Sequence, residues 1–151
     1  MSRTCIYTDG SALGNPGPGG WGWWIPDGRC DAVTEPAGTG VAAGKTTNNR
    51  MELQAIAAAL ATVDGPIEIV SDSTYARDCL TRWVHGWRRR GWTTAAGKPV
   101  KNRDLIEPLA AAIAVRDVTF TWVKGHTGNL GNEAADELAY HAAQQVAATA
   151  S

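Results

Sequence analysis

The sequence predicts an α/β fold, and three observations carry that expectation. Short β-favouring runs cluster near the N-terminus, apolar residues recur at steps of three and four further on, and a second pair of strand-like runs then alternates with helical segments. Residues 3–9 set Cys5 and Tyr7 against Ile6 and Thr8, the alternation of a strand, and the run GSALGNPGPGG after them has too much Gly and Pro for regular structure. That is strand, then loop. Residues 21–25 and 30–34 flank Pro26-Asp27-Gly28-Arg29, a turn signal, so a hairpin beside the first strand is expected and three antiparallel strands result.

Leu53, Ile56, Leu60 and Val63 mark one buried stripe of a helix that opens near Asn48 or Asn49 and closes at Gly65-Pro66. Residues 67–71 form a short apolar strand, after which Ser73 caps a helix running toward Trp83. Trp83 and Trp87, four apart, extend helical turns until Gly91 stops them, and a flexible TTAAGKPV link follows. Asp104-x-x-Glu107 reads as a capping pair that opens a helix to Ala114, with Pro108 removing one backbone bond and shortening it. Residues 118–124 alternate as a fifth strand, Asn132 or Glu133 opens the last helix, and VAATAS frays.

The chain has 151 residues, 44% hydrophobic and 19% charged, which suits one globular domain with a sizeable core. Three cysteines, Cys5, Cys30 and Cys79, are widely spaced, which argues against a disulfide framework or a zinc site and points to a reducing, cytoplasmic setting. No leader-like succession and no apolar stretch of about 18 residues is present, so secretion and membrane insertion are not expected. The net charge of −1 conceals a division: Cys79 through Arg103 hold seven cations and no acid, a local +7 against −8 elsewhere.

Four carboxylates, Asp9, Glu52, Asp72 and Asp136, each fall at an expected end of a strand or helix. They lie 43, 20 and 64 positions apart, so only tertiary folding brings them together. Grouped acids repel and raise one another's pKa, and a fold that gathers them offsets the charge with divalent cations. Each alone has a plainer explanation. Asp9 and Asp72 sit in Asp-Gly-Ser and Ser-Asp-Ser, ordinary turn chemistry, while Glu52 and Asp136 occupy early helical turns that favour acids whatever their function. His126 stands in the Gly-rich run KGHTGNLG between strand and helix, where a solvent-facing imidazole beside Asp136 suits proton transfer, or is an unremarkable loop histidine. His85 and His141 have no partner motif and read as structural or solvated. Trp83, Trp87 and Trp92 among arginines suit sugar and base stacking beside phosphate neutralisation, or simply pack a protruding helix.

Taken together and in order, TDGSALGNPGPGGWG, TTNNRMEL, SDSTYAR, WVKGHTGN and NEAADELA, with the Trp- and Arg-rich insert, resemble type 1 bacterial ribonuclease H over nearly the whole chain. The resemblance implies a five-stranded mixed sheet ordered 3-2-1-4-5 flanked by helices, with a basic handle at about residues 82–103. It implies endonucleolytic cleavage of the RNA strand of RNA–DNA hybrids, leaving 5′-phosphate and 3′-hydroxyl ends. Asp9, Glu52, Asp72 and Asp136 match the family's metal-binding acids, which hold two Mg²⁺ about 4 Å apart, with Mn²⁺ a possible substitute. His126 matches a mobile histidine that aids proton movement or product release, and Glu133 a nearby acid.

For the substrate, Asn15, Asn48 and Asn49 match positions that read the RNA minor groove, and Lys45, Thr47 and Asn102 a DNA-strand phosphate pocket. Trp87 matches an aromatic lining the DNA channel, and Arg88, Arg89 and Arg90 the handle. Thr74 stands where many relatives have Gln, and its side chain is shorter. No separate hybrid-binding module, no obligate protein partner and a monomer are expected. A DNA-cutting relative on the same sheet and a hybrid-binding protein with a dead site are the alternatives; Asn48-Asn49 and the handle oppose the first, the full set of acids with His126 the second.

Overall fold

The computed structural model describes residues 3–26, 37–124 and 130–149. Its strands are β1 (Thr4–Ala12), β2 (Gly17–Trp24), β3 (Ala37–Thr46), β4 (Ile67–Ser71) and β5 (Val118–Trp122), in the sheet order β3-β2-β1-β4-β5. β1, β2 and β3 pair antiparallel, while β4 joins β1 and β5 joins β4 in parallel. The mixed sheet expected from the resemblance is therefore present in the expected order. Helices are α1 (Asn48–Thr62), α2 (Thr74–Asp78), α3 (Val84–Arg89), α4 (Arg103–Val115) and α5 (Leu130–Thr149), with a π-helical turn over Cys79–Trp83 between α2 and α3.

Two helices cover opposite faces of the sheet, and adjacent glycines of β2 tell which. A Cβ on Gly19 would lie 3.0 Å from the Met51 side chain of α1, whereas one on Gly20 would fall 2.5 Å from Ala142 and Ala143 of α5. Side chains alternate faces along a strand, so α1 takes one face and α5 the other. The run expected as loop is thus largely strand: β1 continues through Gly10, Ser11 and Ala12, and β2 begins at Gly17. Glycine is used there for close helix approach, a demand that composition does not reveal.

The third strand, Ala37–Thr46, was not foreseen either, because its Gly and Ala residues lack the β-branched signature. The expected strand at residues 30–34 and its turn lie almost wholly outside the described residues. α1 opens at Asn48, within the expected start, but its cap is Thr47, whose Oγ1 accepts from Arg50 N at 3.2 Å, and it buries Leu53, Ile56, Ala59 and Leu60. Against that stripe lie Ile6, Ile67, Ile69, Ile106 and Leu109, the core between sheet, α1 and α4. Ser73 Oγ caps α2 by accepting from Ala76 N at 3.0 Å.

Further expectations are corrected. α4 is capped by Asn102 in the left-handed conformation, φ 62°, and not by Asp104, whose carboxylate pairs with Arg50 while Glu107 pairs with Arg103. Pro108 does not shorten α4, since Ile106, Leu109 and Ala110 are buried on either side of it and hold the helix across the missing bond. The TTAAGKPV segment is a closed turn: Thr93 bridges Pro99, Thr94 N donates to Lys98 O at 2.7 Å, and Val100 is buried. At the end, α5 is helical to Thr149. No helix among the described residues is long and apolar enough to cross a membrane.

Candidate active site

Parallel pairing of β1 to β4 ends at Tyr7↔Val70, and the acids gather just beyond that point. Asp9 is inside β1, still paired with Gly22 of β2, and not at a strand end as the sequence implied. Asp72 does follow β4 directly. Gly10 makes the third acid reachable. A Cβ there would lie 2.2 Å from the Met51 carbonyl carbon, so only glycine lets the first turns of α1 press on β1 and bring Glu52 against Asp9.

The result is a cluster in which one ligand oxygen each from Asp9, Glu52 and Asp72 lies within 4.8 Å of the others. Asp9 and Glu52 are buried and Asp72 is half-buried. Asp136, on the second turn of α5 and half-buried, comes within hydrogen-bonding reach of Asp9 from the opposite face of the sheet. Three of the sequence-selected acids therefore converge in one cluster, and the fourth, Asp136, approaches it through Asp9. Asp9 Oδ1 accepts from Gly10 N at 2.9 Å, but Glu52 Oε2 is buried with no hydrogen-bond donor.

Electrostatics follow from that crowding. Burial pushes the Asp9 carboxyl from its ordinary range up to about 7, with the Asp72 charge adding to the rise. Burial raises Glu52 as well, reinforced by Asp9 and Asp72. Without a counter-charge the pair resists full ionisation. A donor set of hard carboxylate oxygens, one of them orphaned, fits Mg²⁺ or another oxygen-seeking divalent cation, which would reverse the sense of these shifts.

Beside Asp72 a cavity of about 380 Å³ is lined by Ser73, Thr74, Arg77, Trp122, Val123 and Lys124. Thr74 is exposed at its mouth. The turn before α1 is braced on the loop between β1 and β2: Asn48 N donates to Asn15 Oδ1 at 3.0 Å, and Ala12 N donates to Asn48 Oδ1 at 2.6 Å. Asn49 is exposed beside them, and exposed Lys45 lies at the end of β3. Asn15, Asn48 and Asn49 thus share one locality with Thr47, whereas the handle residues stand apart.

In the handle, Trp83 is 42% exposed and its ring centroid is 5.9 Å from that of half-buried Trp87, which packs on the core. Trp92 is also half-buried, with the Arg103 guanidinium 5.5 Å from its ring centroid. Arg88, Arg89 and Arg90 are all exposed at the end of α3, before Gly91 at φ +66°, and pair with no described carboxylate. Glu133 is exposed on α5, as are His85 and His141 on their helices, while His126 lies outside the described residues. Sequence reading missed Arg50, whose guanidinium joins the α1 turn to Asn102 and Asp104. Its place beside two asparagines in TTNNRMEL was the available signal.

Comparison with known proteins agrees with this architecture. The RNase H family model matches residues 1–144. The chain belongs to the RNase H family. Among bacterial ribonuclease H proteins, it is 48% identical to that of Anaeromyxobacter dehalogenans, over 97% of this chain and 83% of the relative. It is also 48% identical to that of Cereibacter sphaeroides, over 92% and 93%. Among solved structures it resembles LC9-RNase H1, a type 1 RNase H with the type 2 active-site motif, at TM-score 0.77 and 30% identity over 96% of this chain and 74% of that one. LC11-RNase H1 in complex with an RNA/DNA hybrid matches at TM-score 0.63 and 26% identity, over 95% and 98%. As an RNase H, the chain is a nuclease, a hydrolase of phosphodiester bonds, and its family depends on divalent metal.

Proposed function

We propose that this RNase H is an endonuclease that cleaves the RNA strand of RNA–DNA hybrids with two divalent cations, Mg²⁺ in the first instance and Mn²⁺ as a substitute, leaving 5′-phosphate and 3′-hydroxyl ends. The observation that carries the reading is the convergence of Asp9, Glu52 and Asp72 within 4.8 Å, two of them buried and Glu52 Oε2 without a donor. Such a site is costly to build unless cations fill it. The similar LC11-RNase H1, solved with an RNA/DNA hybrid, supports the substrate.

Asp9, Glu52, Asp72 and Asp136 would hold the ions. When bound, they supply Lewis acidity that lowers the pKa of water and neutralises charge on the departing oxygen. The water oxygen bonds to phosphorus and the bond from phosphorus to the 3′ oxygen breaks, so the phosphate stays on the 5′ end. His126 takes part in moving the proton or releasing product. Asn15, Asn48 and Asn49 read the minor groove, where the 2′-hydroxyl separates RNA from DNA. Lys45, Thr47 and Asn102 take a DNA-strand phosphate. Trp83, Trp87 and Trp92 line the channel, Arg88, Arg89 and Arg90 neutralise phosphates, and Glu133 acts beside the metal acids. The whole chain serves as one catalytic domain, monomeric and cytoplasmic.

The test is a gel with one labelled strand in an RNA–DNA hybrid, a DNA duplex and an RNA duplex, with and without Mg²⁺. RNA cleavage confined to the hybrid and requiring the metal is expected. Cutting of the DNA duplex would make the chain a DNA nuclease on the same sheet, and a bound but intact hybrid a binding protein. His126→Ala should slow turnover, by up to ~10²–10⁴ if proton transfer is limiting. Equal rates across pH in single- and multiple-turnover assays would remove His126 from the mechanism.

A further inference from the structure

One side chain ties the start of α1 to the chain returning from the handle. The Arg50 guanidinium forms a two-point pair with Asp104, Nη1 to Oδ1 at 2.9 Å and Nη2 to Oδ2 at 2.7 Å. Its Nη1 also donates to Asn102 Oδ1 at 3.1 Å, and Asn102 Nδ2 donates to the Tyr75 hydroxyl at 2.9 Å. Three separate pieces of chain meet there: the cap of α1, α2 through Tyr75, and the left-handed cap of α4.

The chemistry of this contact fixes which way the Asn102 amide faces. A guanidinium has donors and no acceptor, so it holds the amide oxygen and turns the NH₂ away. One N–H of that NH₂ goes to Tyr75 and the second is left to donate outward. Thr47 Oγ1 already accepts from Arg50 N, so its own hydrogen is likewise left to donate. Exposed Lys45 stands two residues before Thr47. These outward donors lie where the proposed function puts a DNA-strand phosphate, and a phosphate oxygen can accept from both. Arg50 is not the phosphate ligand, because Asp104 already pairs with it, and Arg50 in return holds the Asp104 carboxyl below its usual range.

We infer that Arg50 is a positioning residue: it orients the Asn102 amide and holds it beside Thr47, so that both donate to one backbone phosphate of the bound hybrid. The inference rests on the proposed function in taking a hybrid as ligand. Losing a hydrogen bond to a charged phosphate weakens binding by roughly tenfold.

The experiment measures hybrid affinity in EDTA by anisotropy, with KM and kcat in Mg²⁺, for the parent, Arg50→Met, Asn102→Ala and the double variant. Arg50→Met should weaken binding about tenfold, with the loss in KM and not kcat, yet cost less than about twofold more in the Asn102→Ala background. Asp104→Asn, which leaves the Arg50 to Asn102 bond in place, should bind at least as tightly as the parent. If Arg50→Met does not fold, Arg50→Lys replaces it, with an intermediate loss that vanishes in the Asn102→Ala background. A scan of single neutral methylphosphonates along each strand should find one position that harms the parent more than it harms either single variant, where Thr47 still donates. Additive losses, or a methylphosphonate effect equal in parent and variants, would overturn the assignment. Because binding is read without metal, a chain that binds hybrids and cuts nothing refutes the functional reading alone, whereas additive losses in a chain that cuts them refute this one alone.

Discussion

Asp9 and Glu52 are buried where β1 meets α1, whereas Arg88, Arg89 and Arg90 stand in solvent at the end of α3. Both regions concentrate one sign of charge, and burial makes them behave differently. In the low-dielectric cluster burial raises the Asp9 and Glu52 carboxyls and the Asp72 charge adds to both, so the group is poised for cations and its geometry is set by packing such as the contact at Gly10. The arginines are hydrated and screened. The first arrangement suits chemistry at a fixed point, the second suits adjustable attraction to a long polyanion.

Removing one buried acid puts that contrast to its most severe test. Asp9→Asn or Asp72→Asn should abolish hydrolysis, with hybrid affinity at least as tight because repulsion toward phosphate falls. Cleavage of a labelled RNA strand in Mg²⁺, read beside anisotropy, checks both halves. Appreciable residual turnover in either variant would mean that the acids are not the metal ligands.

Next in size is the cost of holding those acids together without metal. The unfolded Asp9 carboxyl ionises near 3.8, while the folded one keeps its proton to about 7. A raised acid pKa makes the unfolded state lose its proton first, so metal-free stability is highest below about pH 4, falls as pH rises toward 7, and levels off beyond. Asp9→Asn should therefore stabilise the metal-free protein at pH 8 by on the order of 1–4 kcal/mol, the upper end being the whole shift. Adding Mg²⁺ should raise the melting temperature of the parent more than that of the variant. Identical melting curves against pH for parent and Asn variant in EDTA would show that the cluster carries no such strain.

How far the sequence revealed these regions also differs between them. Asp72 was legible because it closes β4, an apolar run, and Ser73 caps the helix after it. The handle was legible because cations and tryptophans without acids stand out in composition. Asp9 was found for a partly mistaken reason, since β1 continues past it through glycines that serve helix contact and not a loop. β3 stayed hidden because Ala and Gly form a strand only when partners and covering helices supply the stabilisation. Asp104-x-x-Glu107 imitated a capping pair, but Arg50 and Arg103 each claimed one carboxylate, a tertiary preference invisible in local spacing. The π turn over Cys79–Trp83, which re-aims the handle after α2, had no sequence signal either.

The smallest expected effect on chemistry belongs to the handle. Replacing Arg88, Arg89 and Arg90 together by Ala should weaken hybrid binding through its salt dependence, with the single-turnover rate at saturating substrate nearly intact. The warrant is their placement: all three are exposed, none pairs with a described carboxylate, and they end a short helix set off from the acids by the π turn. Every phosphate that an arginine neutralises in the parent and alanine leaves bare should flatten the slope of log affinity against log salt by a little under one unit for a B-like duplex, with hybrids roughly similar. Titrations at several salt concentrations give that slope directly. A triple variant whose affinity and slope both match the parent would place these arginines away from the hybrid, and binding would then rest on the α1 turn and its asparagines.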